Sequence, residues 1–554
     1  MSASNASPHL DAWGIADGYH DVDGAWHPTP DATRERLRRA MGDPQTGRPI
    51  WFVEHGTSHR LWNANEVLLE DGTNLGALDD LPDSLPIGYH DLVPVDGGPV
   101  TRLIVHPRTA PDVPRAWGVA VQVYALWSEQ SWGIGDLRDL RTLAERVVAL
   151  GGGAILTSPL HQPAPTLPQV PSPYFPSSRR AWNPLLLAID APVPVRLQCD
   201  PSTLIDRDDV WIAKRSVLEA EFESALDAGR VSDREPDAVA VWNARCDELH
   251  PDWSAWDTAL PGLDEDDELA ERARFHQWLQ DRFAEQLADV AATGVHLIGD
   301  LAVGFSPDGA DASEFRDLLA LDVRVGAPPD AFTPDGQEWG IPPFVPWRLR
   351  ASLYEPFIAT VRASLRGVHG LRIDHVMGLF RQYWVPADSS PVDGAYVHFP
   401  AEELLAIVCL EATRAGAFVI GEDLGTVEPA VRDSLTAHHI AGTRVMWFEH
   451  ELAPTTWPEA SLATVTTHDL PTVSGVFERR DQQLIDTLEA LVPGAATPAQ
   501  AVRGAHDVLL SARSRLRLMA ADDLAGATEQ PNHPGDMTLP NWRLRLPKPV
   551  DELL

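Results

Sequence analysis

HGLRIDHV, residues 369–376, reads as one short strand that ends on an acid. Side chains alternate across a strand, so Leu371 and Ile373 share one face while Arg372 and Asp374 share the other. Comparable apolar runs recur as WGVAVQVYAL (117–126), GAILTSPL (153–160), GVHLIGDLAVGF (294–305), AFVIGEDLG (417–425), TRVMWF (443–448) and ATVTTHDL (463–470). Long helical stretches separate them. Parallel strands require this, because each crossover must return the chain to the same end of the sheet. With an eighth strand expected near 514–521, the reading is an α/β protein built on a (β/α)8 TIM barrel.

Working outward, residues 49–107 break into short β-segments separated by turn residues, a small β-rich N-terminal domain. An amphipathic helix is expected before it over 30–41, with Asp31 or Thr33 in the N-cap role. The proline-rich stretch 108–115 has the composition of a linker, so 1–115 is taken as an N-terminal module and 116–554 as the catalytic barrel. This module reads as a packing brace, having no evident cluster of exposed aromatics. Residues 200–290 are helical in pattern and too long for one barrel helix, so they are expected as an inserted helical subdomain over the catalytic face. The acidic tract at 264–267 reads as a solvated helix start, and the three glycines at 151–153, which lead into a strand without a following Lys-Ser/Thr, as a turn.

The chain carries 44 basic and 81 acidic side chains, a net charge of −37. Such a field repels phosphate surfaces, which argues against nucleic-acid or membrane partners. Lys214 and Lys548 are the only lysines, which leaves Schiff-base and P-loop chemistry little support. Cys199, Cys246 and Cys409 are scattered without CxxC spacing, and His438 and His439 lack ligand spacing, so neither a disulfide framework nor a metal site is expected. A reducing cytoplasm fits these cysteines. The first residues lack a basic segment followed by an apolar one, and no run of about 18 apolar residues occurs, so neither export nor membrane spanning is expected.

Asp300, Asp374, Glu422 and Asp469 close or follow strand-like runs. In a parallel barrel the C-terminal strand ends share one mouth, which makes distant carboxylates neighbours. Converging carboxylates suit glycosidic bond cleavage, where one ionised acid meets an oxocarbenium-like centre and another, protonated, serves the leaving oxygen. Arg372 sets a permanent cation beside Asp374, favouring the ionised nucleophile, whereas the apolar run before Glu422 favours the protonated acid. His375 and His468 adjoin these acids and can donate to sugar hydroxyls.

Five segments in order, SPYFPSSRRAWNPL (172–185), GAPPDAFTPDGQEWG (326–340), LRIDHVMGLF (371–380), GEDLGTV (421–427) and TTHDLPT (466–472), resemble those of the 4-α-glucanotransferases, the amylomaltase or disproportionating-enzyme family. The resemblance runs from about Trp117 to Trp542. It implies a retaining α-glucan transferase of the α-amylase superfamily, with Asp374 matching the nucleophile, Glu422 the acid/base and Asp469 the transition-state stabiliser. Arg372, His375 and His468 match residues flanking the reacting sugar, and Tyr174 a substrate-contacting tyrosine. Gln337 and Trp339 match a loop arching over the cleft. Asp308 matches a further donor-site acid, with Asp300 as the alternative alignment. The implied substrates are maltooligosaccharides and starch- or glycogen-derived glucans, and the family uses no organic cofactor or essential metal. The sequence departs from much of the family after His375, where ValMetGlyLeuPhe follows, which bears on acceptor preference. The nearest rival is an α-glucan hydrolase using the same carboxylates; a silent glucan-binding protein is a third reading. Water exclusion separates the first two, and the loop 330–347, with Phe332, Trp339, Phe344 and Trp347, is expected to form an apolar cover.

Overall fold

The computed structural model describes residues 8–21, 24–249, 266–329, 333–425, 427–449, 453–481, 484–536 and 538–554. The first part of the acidic tract, 264–265, and Phe332 therefore lie outside the described residues. Eight strands form one sheet: β1 Ala116–Val121, β2 Ala154–Thr157, β3 His296–Leu301, β4 Gly370–Ile373, β5 Phe418–Gly421, β6 Gly442–Val445, β7 Ser461–Thr464 and β8 Leu516–Ala520. Their order, β5-β4-β3-β2-β1-β8-β7-β6, is the chain order of a (β/α)8 barrel. The pairings from β4 through β3, β2, β1, β8 and β7 to β6 are parallel. Each strand overlaps the segment expected for it, although β7 spans Ser461–Thr464 where the expected run is 463–470, so Asp469 lies beyond the strand end. The eighth is hard to see in sequence because Arg517 interrupts its apolar residues.

The chain divides into two compact units. The larger comprises 113–314, 366–374 and 441–554. In its core the outward-facing Val119, Ile155 and Leu297 join Leu140, Leu143 and Val147 of the helix Leu137–Ala149. That helix starts on a capping box, Asp136 accepting from the Asp139 N–H while Asp139 accepts from the Asp136 N–H. The region expected as a helical insertion forms helices Arg207–Asp227, Ala238–Glu248 and Asp267–Ala291 among the described residues. The last of these leads directly into β3, and its Phe283, Leu287 and Val290 join the barrel core, so it serves also as the crossover helix. Asp266 caps it, accepting from the N–H groups of Glu268 and Leu269.

The smaller unit comprises 1–112, 315–365 and 375–440. It holds a five-stranded sheet whose spatial order is Ile50–Glu54, Thr101–His106, Gly88–Pro94, His59–Leu68 and Asn74–Leu81. The sequence reading misses Asn74–Leu81, because five of its eight residues are exposed and the adjacent Asp79 and Asp80 interrupt its apolar positions. The helix Asp31–Met41 forms, but Pro30 is its N-cap and no side chain caps it; Thr33 instead donates to the Asp393 carbonyl at 2.6 Å. A second sheet, unseen in the sequence, pairs Val323–Ala327 with Gln337–Glu338 and with Arg381–Pro386, which in turn pairs with Ala395–His398.

The barrel leaves no room at Gly118, where an added Cβ would sit 1.7 Å from the Ala154 carbonyl oxygen of the neighbouring strand. At Gly153 the same atom would meet only the Ala116 Cβ at 3.4 Å, an ordinary contact. Gly118→Ala is therefore expected to abolish soluble expression or lower the thermal midpoint steeply, while Gly153→Ala stays within about 1 kcal/mol of the parent. Equal midpoints for the two variants would show that β1 and β2 do not approach as described.

Candidate active site

Asp300 is a strand residue of β3, and Arg372 lies opposite it on β4 in register. Alternation turns both to one side of the sheet, and Arg372 Nη1 donates to Asp300 Oδ1 and Oδ2 at 2.7 and 2.8 Å. The other guanidinium nitrogen, Nη2, lies 3.0 Å from Asp374 Oδ1, immediately past the end of β4. One cation thus serves two carboxylates. The Asp300 side chain is 3% exposed, against 18% for Asp374. Burial pushes the Asp300 carboxyl above its ordinary range against the pull of Arg372, and Asp374 adds to the rise.

Tyr174 closes the other side of Asp300, its hydroxyl donating to Oδ2 at 2.8 Å and lying 3.0 Å from His468 Nδ1. Burial and the neighbouring Asp300 push the phenol well above its usual value, so it remains a neutral donor. Its ring stacks on His468 with centroids 4.5 Å apart and lies 5.2 Å from Trp542. Behind β7, Asp469 Oδ2 is 3.4 Å from His468 Nε2, and Asn532 Nδ2 donates to Asp469 Oδ1 at 2.6 Å. Gln530 holds the same residue by its backbone carbonyl at 3.0 Å. Burial works against ionisation of Asp469, but His468 and Asn532 outweigh it and hold the carboxyl below its usual range. His468 is raised in turn: burial disfavours its charge, and Asp469 more than restores it. The Asp469 side chain keeps 42% exposure, so of these acids it is the most open to a ligand. A cavity of about 60 Å³ reaches between Tyr174, Asp300, Arg372, His468, Thr466 and Asp522.

The smaller unit holds the second group. Glu422 follows β5, and its two carboxyl oxygens accept the His375 N–H at 2.9 Å and the Leu424 N–H at 2.7 Å, which fixes the plane of the carboxyl. Its carbonyl accepts the Val376 N–H at 3.0 Å. His375 takes a left-handed backbone, φ 45°, a strained setting for a residue with a Cβ. The Trp339 ring meets its imidazole edge-on at 5.3 Å, and Trp339 Nε1 donates to Gln337 Oε1 at 3.0 Å.

Asp308 does not join either group. It lies in an exposed turn beyond β3, where its N–H donates to Ser306 Oγ at 3.2 Å, and Asp300 is the acid that stands in the cluster. Residues 330–332 of the loop expected as an apolar cover lie outside the described residues. Trp347 packs on a core with Leu37, Val345 and Trp384, Phe344 pairs with Phe315, and Trp339 stands beside His375. Asn532, Gln530 and Trp542 escaped the sequence reading as site residues, since single amides in a loop carry no pattern. Among the described residues no three His, Cys, Asp or Glu side chains are grouped to hold a metal ion. Nor, among them, is any helix long and apolar enough to cross a membrane.

A barrel whose strand ends gather carboxylates around one arginine, with a tyrosine and a histidine stacked beside them, defines a carbohydrate-active enzyme of the glycoside-hydrolase type. Residues 121–550 match the glycoside hydrolase family 77 model, described as 4-alpha-glucanotransferase. The chain is 37% identical over 560 residues to a 4-alpha-glucanotransferase of Mycobacterium tuberculosis, covering 85% of this chain and 77% of that one. It is 33% identical over 496 residues to that of Haemophilus influenzae, covering 77% and 70%. Among solved structures, amylomaltase from Corynebacterium glutamicum superposes with a TM-score of 0.83 at 29% identity, covering 98% of this chain and 96% of that one. The amylomaltase of Streptococcus agalactiae, solved with acarbose, gives 0.65 at 21% identity over 79% and 96%, a likeness of fold. The chain belongs to the 4-alpha-glucanotransferase family and is a retaining transferase acting on α-glucans.

The His468–Asp469 pair gives a signed pH dependence. His468 is raised, so its contribution to stability is present below the free value of 6.5 and is lost as pH rises through the folded value. Asp469 is lowered, so its contribution is present above 3.8 and is lost as pH falls through the folded value. The gap in thermal midpoint between the parent and His468→Gln should be widest between those limits and narrow toward pH 9. A gap independent of pH would mean the pair is not charged.

Proposed function

We propose that the enzyme transfers 1,4-α-glucan segments from maltooligosaccharides or starch- and glycogen-derived glucans to the 4-hydroxyl of glucose or another glucan, in the cytoplasm, with Asp374 as nucleophile. The observation that carries this assignment is the Arg372 guanidinium 3.0 Å from Asp374, which pairs and aims that carboxylate while leaving it 18% exposed, whereas Asp300 is engaged by the same arginine and only 3% exposed. Asp374 attacks the anomeric carbon, and the bond to the departing glucan oxygen breaks as Glu422 delivers a proton to it. The departing segment leaves, and an incoming glucan hydroxyl gives its proton back to Glu422 as its oxygen displaces Asp374. Asp469, open and held ionised by His468 and Asn532, stabilises the positive charge that builds on the sugar ring in both steps. Tyr174, Arg372, His375 and His468 orient the reacting sugar, Asp300 fixes Arg372 and Tyr174, and Gln337 and Trp339 border the site. The fold and the family support transfer over the hydrolytic alternative, and the free cysteines suit a reducing compartment.

A donor whose leaving group needs no proton separates the two roles. On α-maltotriosyl fluoride, Glu422→Gln should still form the glycosyl-enzyme, visible as a mass adduct on the peptide containing Asp374, while turning over natural glucan at least 10³-fold more slowly. Asp374→Asn should form no adduct from either donor. Near-parental turnover of natural glucan by either variant would reassign the acids.

A further inference from the structure

In the larger unit, Arg207 is the first residue of the helix Arg207–Asp227 and turns inward, 6% exposed. Its Nη1 is buried without a hydrogen-bond partner, and its guanidinium lies over the Tyr124 ring at 4.8 Å. No carboxylate answers it among the described residues. The neighbouring Asp206 accepts the Asp209 N–H at 3.1 Å, and Asp208 accepts the Gln169 N–H at 2.6 Å, so both flanking acids are engaged elsewhere. Other charges near Arg207 are themselves positive: burial lowers its pKa to about 10, Tyr124 works against that, and Arg543 and Arg545 lower it further. Those two arginines donate to backbone carbonyls of Ile205, Thr203 and Gly133 rather than to acids. A buried cation surrounded by cations is costly unless an anion completes it.

The guanidinium borders a cavity of about 20 Å³ that is also lined by Tyr124, Ser158, His161, Ser172 and Asn183. Its polar groups favour a negative guest. His161 Nε2 receives the Ala302 N–H at 3.3 Å, which leaves the ring proton on Nδ1, and Asn183 Oδ1 receives the Leu185 N–H at 3.0 Å, which leaves its NH₂ to donate. Burial holds His161 neutral, its pKa pushed down to about 3. A space of this size has room for a single small guest about the size of a water molecule.

We propose that Arg207 and this cavity form a binding site for a single monatomic halide, chloride under ordinary conditions. Ser172 in the cavity wall is two residues from Tyr174, so the bound ion also braces the segment that carries that tyrosine.

Bromide has the same charge and nearly the same size and can be located by its anomalous scattering. Crystals of the parent grown or soaked in sodium bromide should show an anomalous peak against Arg207. In solution, sodium chloride should raise the parent's thermal midpoint by about 2–4 °C over sodium gluconate at equal ionic strength. Arg207→Gln should abolish that difference. Absence of the peak, or equal midpoints in chloride and gluconate for the parent, overturns the proposal. A peak without chloride-specific stabilisation would mark an adventitious ion only and overturns it equally. The parent measurements stand whether or not the variant folds.

Discussion

Arg372 has to neutralise two carboxylates at once, and the arrangement of the catalytic face follows from that. Asp300 accepts two contacts from Nη1 and is buried beneath Tyr174, while Asp374 meets Nη2 and stays partly open. Equal sharing would leave neither acid free to attack. Removing the cation would leave two like charges side by side, of which one would take up a proton. The division of one guanidinium into a structural and a functional contact is what lets Asp374 be both paired with a cation and available.

The barrel supplies this without long-range strain. Register alone places Asp300 opposite Arg372 on β3 and β4, and one more residue along β4 and past its end brings Asp374 to the same arginine. From β7 the chain runs a few residues further before His468 and Asp469, so these side chains rest on contacts with Tyr174, Asn532 and Trp542 rather than on the sheet. The loop contribution is therefore built from side-chain hydrogen bonds and stacked rings, whereas the β3–β4 contribution is built from backbone pairing. The former is adjustable by single substitutions in a way the latter is not.

What the sequence made legible follows the same division. The barrel strands show as short apolar runs ending near acids, since strands covered on both faces need apolar side chains throughout. Arg372 and Asp374 could be read as a pair because period-two alternation is a local rule. The choice between Asp300 and Asp308 could not, since the two acids lie eight residues apart and only the end of β3 decides which one the strand holds at the cluster. Asn74–Leu81 stayed hidden because an exposed strand needs no apolar face, and Asn532 because its value to Asp469 lies in a contact spanning 63 positions. Trp347, partly buried, packs against the core around Leu37 and Trp384, a use that its Pro- and Gly-rich local context does not reveal.

Transfer and hydrolysis use the same first half-reaction, so the most direct test is the fate of the glycosyl group. Maltotriose incubated with the pure enzyme should give glucose together with oligosaccharides longer than the starting sugar, with the number of reducing ends essentially constant. Reducing ends that rise in step with maltotriose consumption, with no product longer than three glucose units, would contradict the account and make the enzyme a hydrolase.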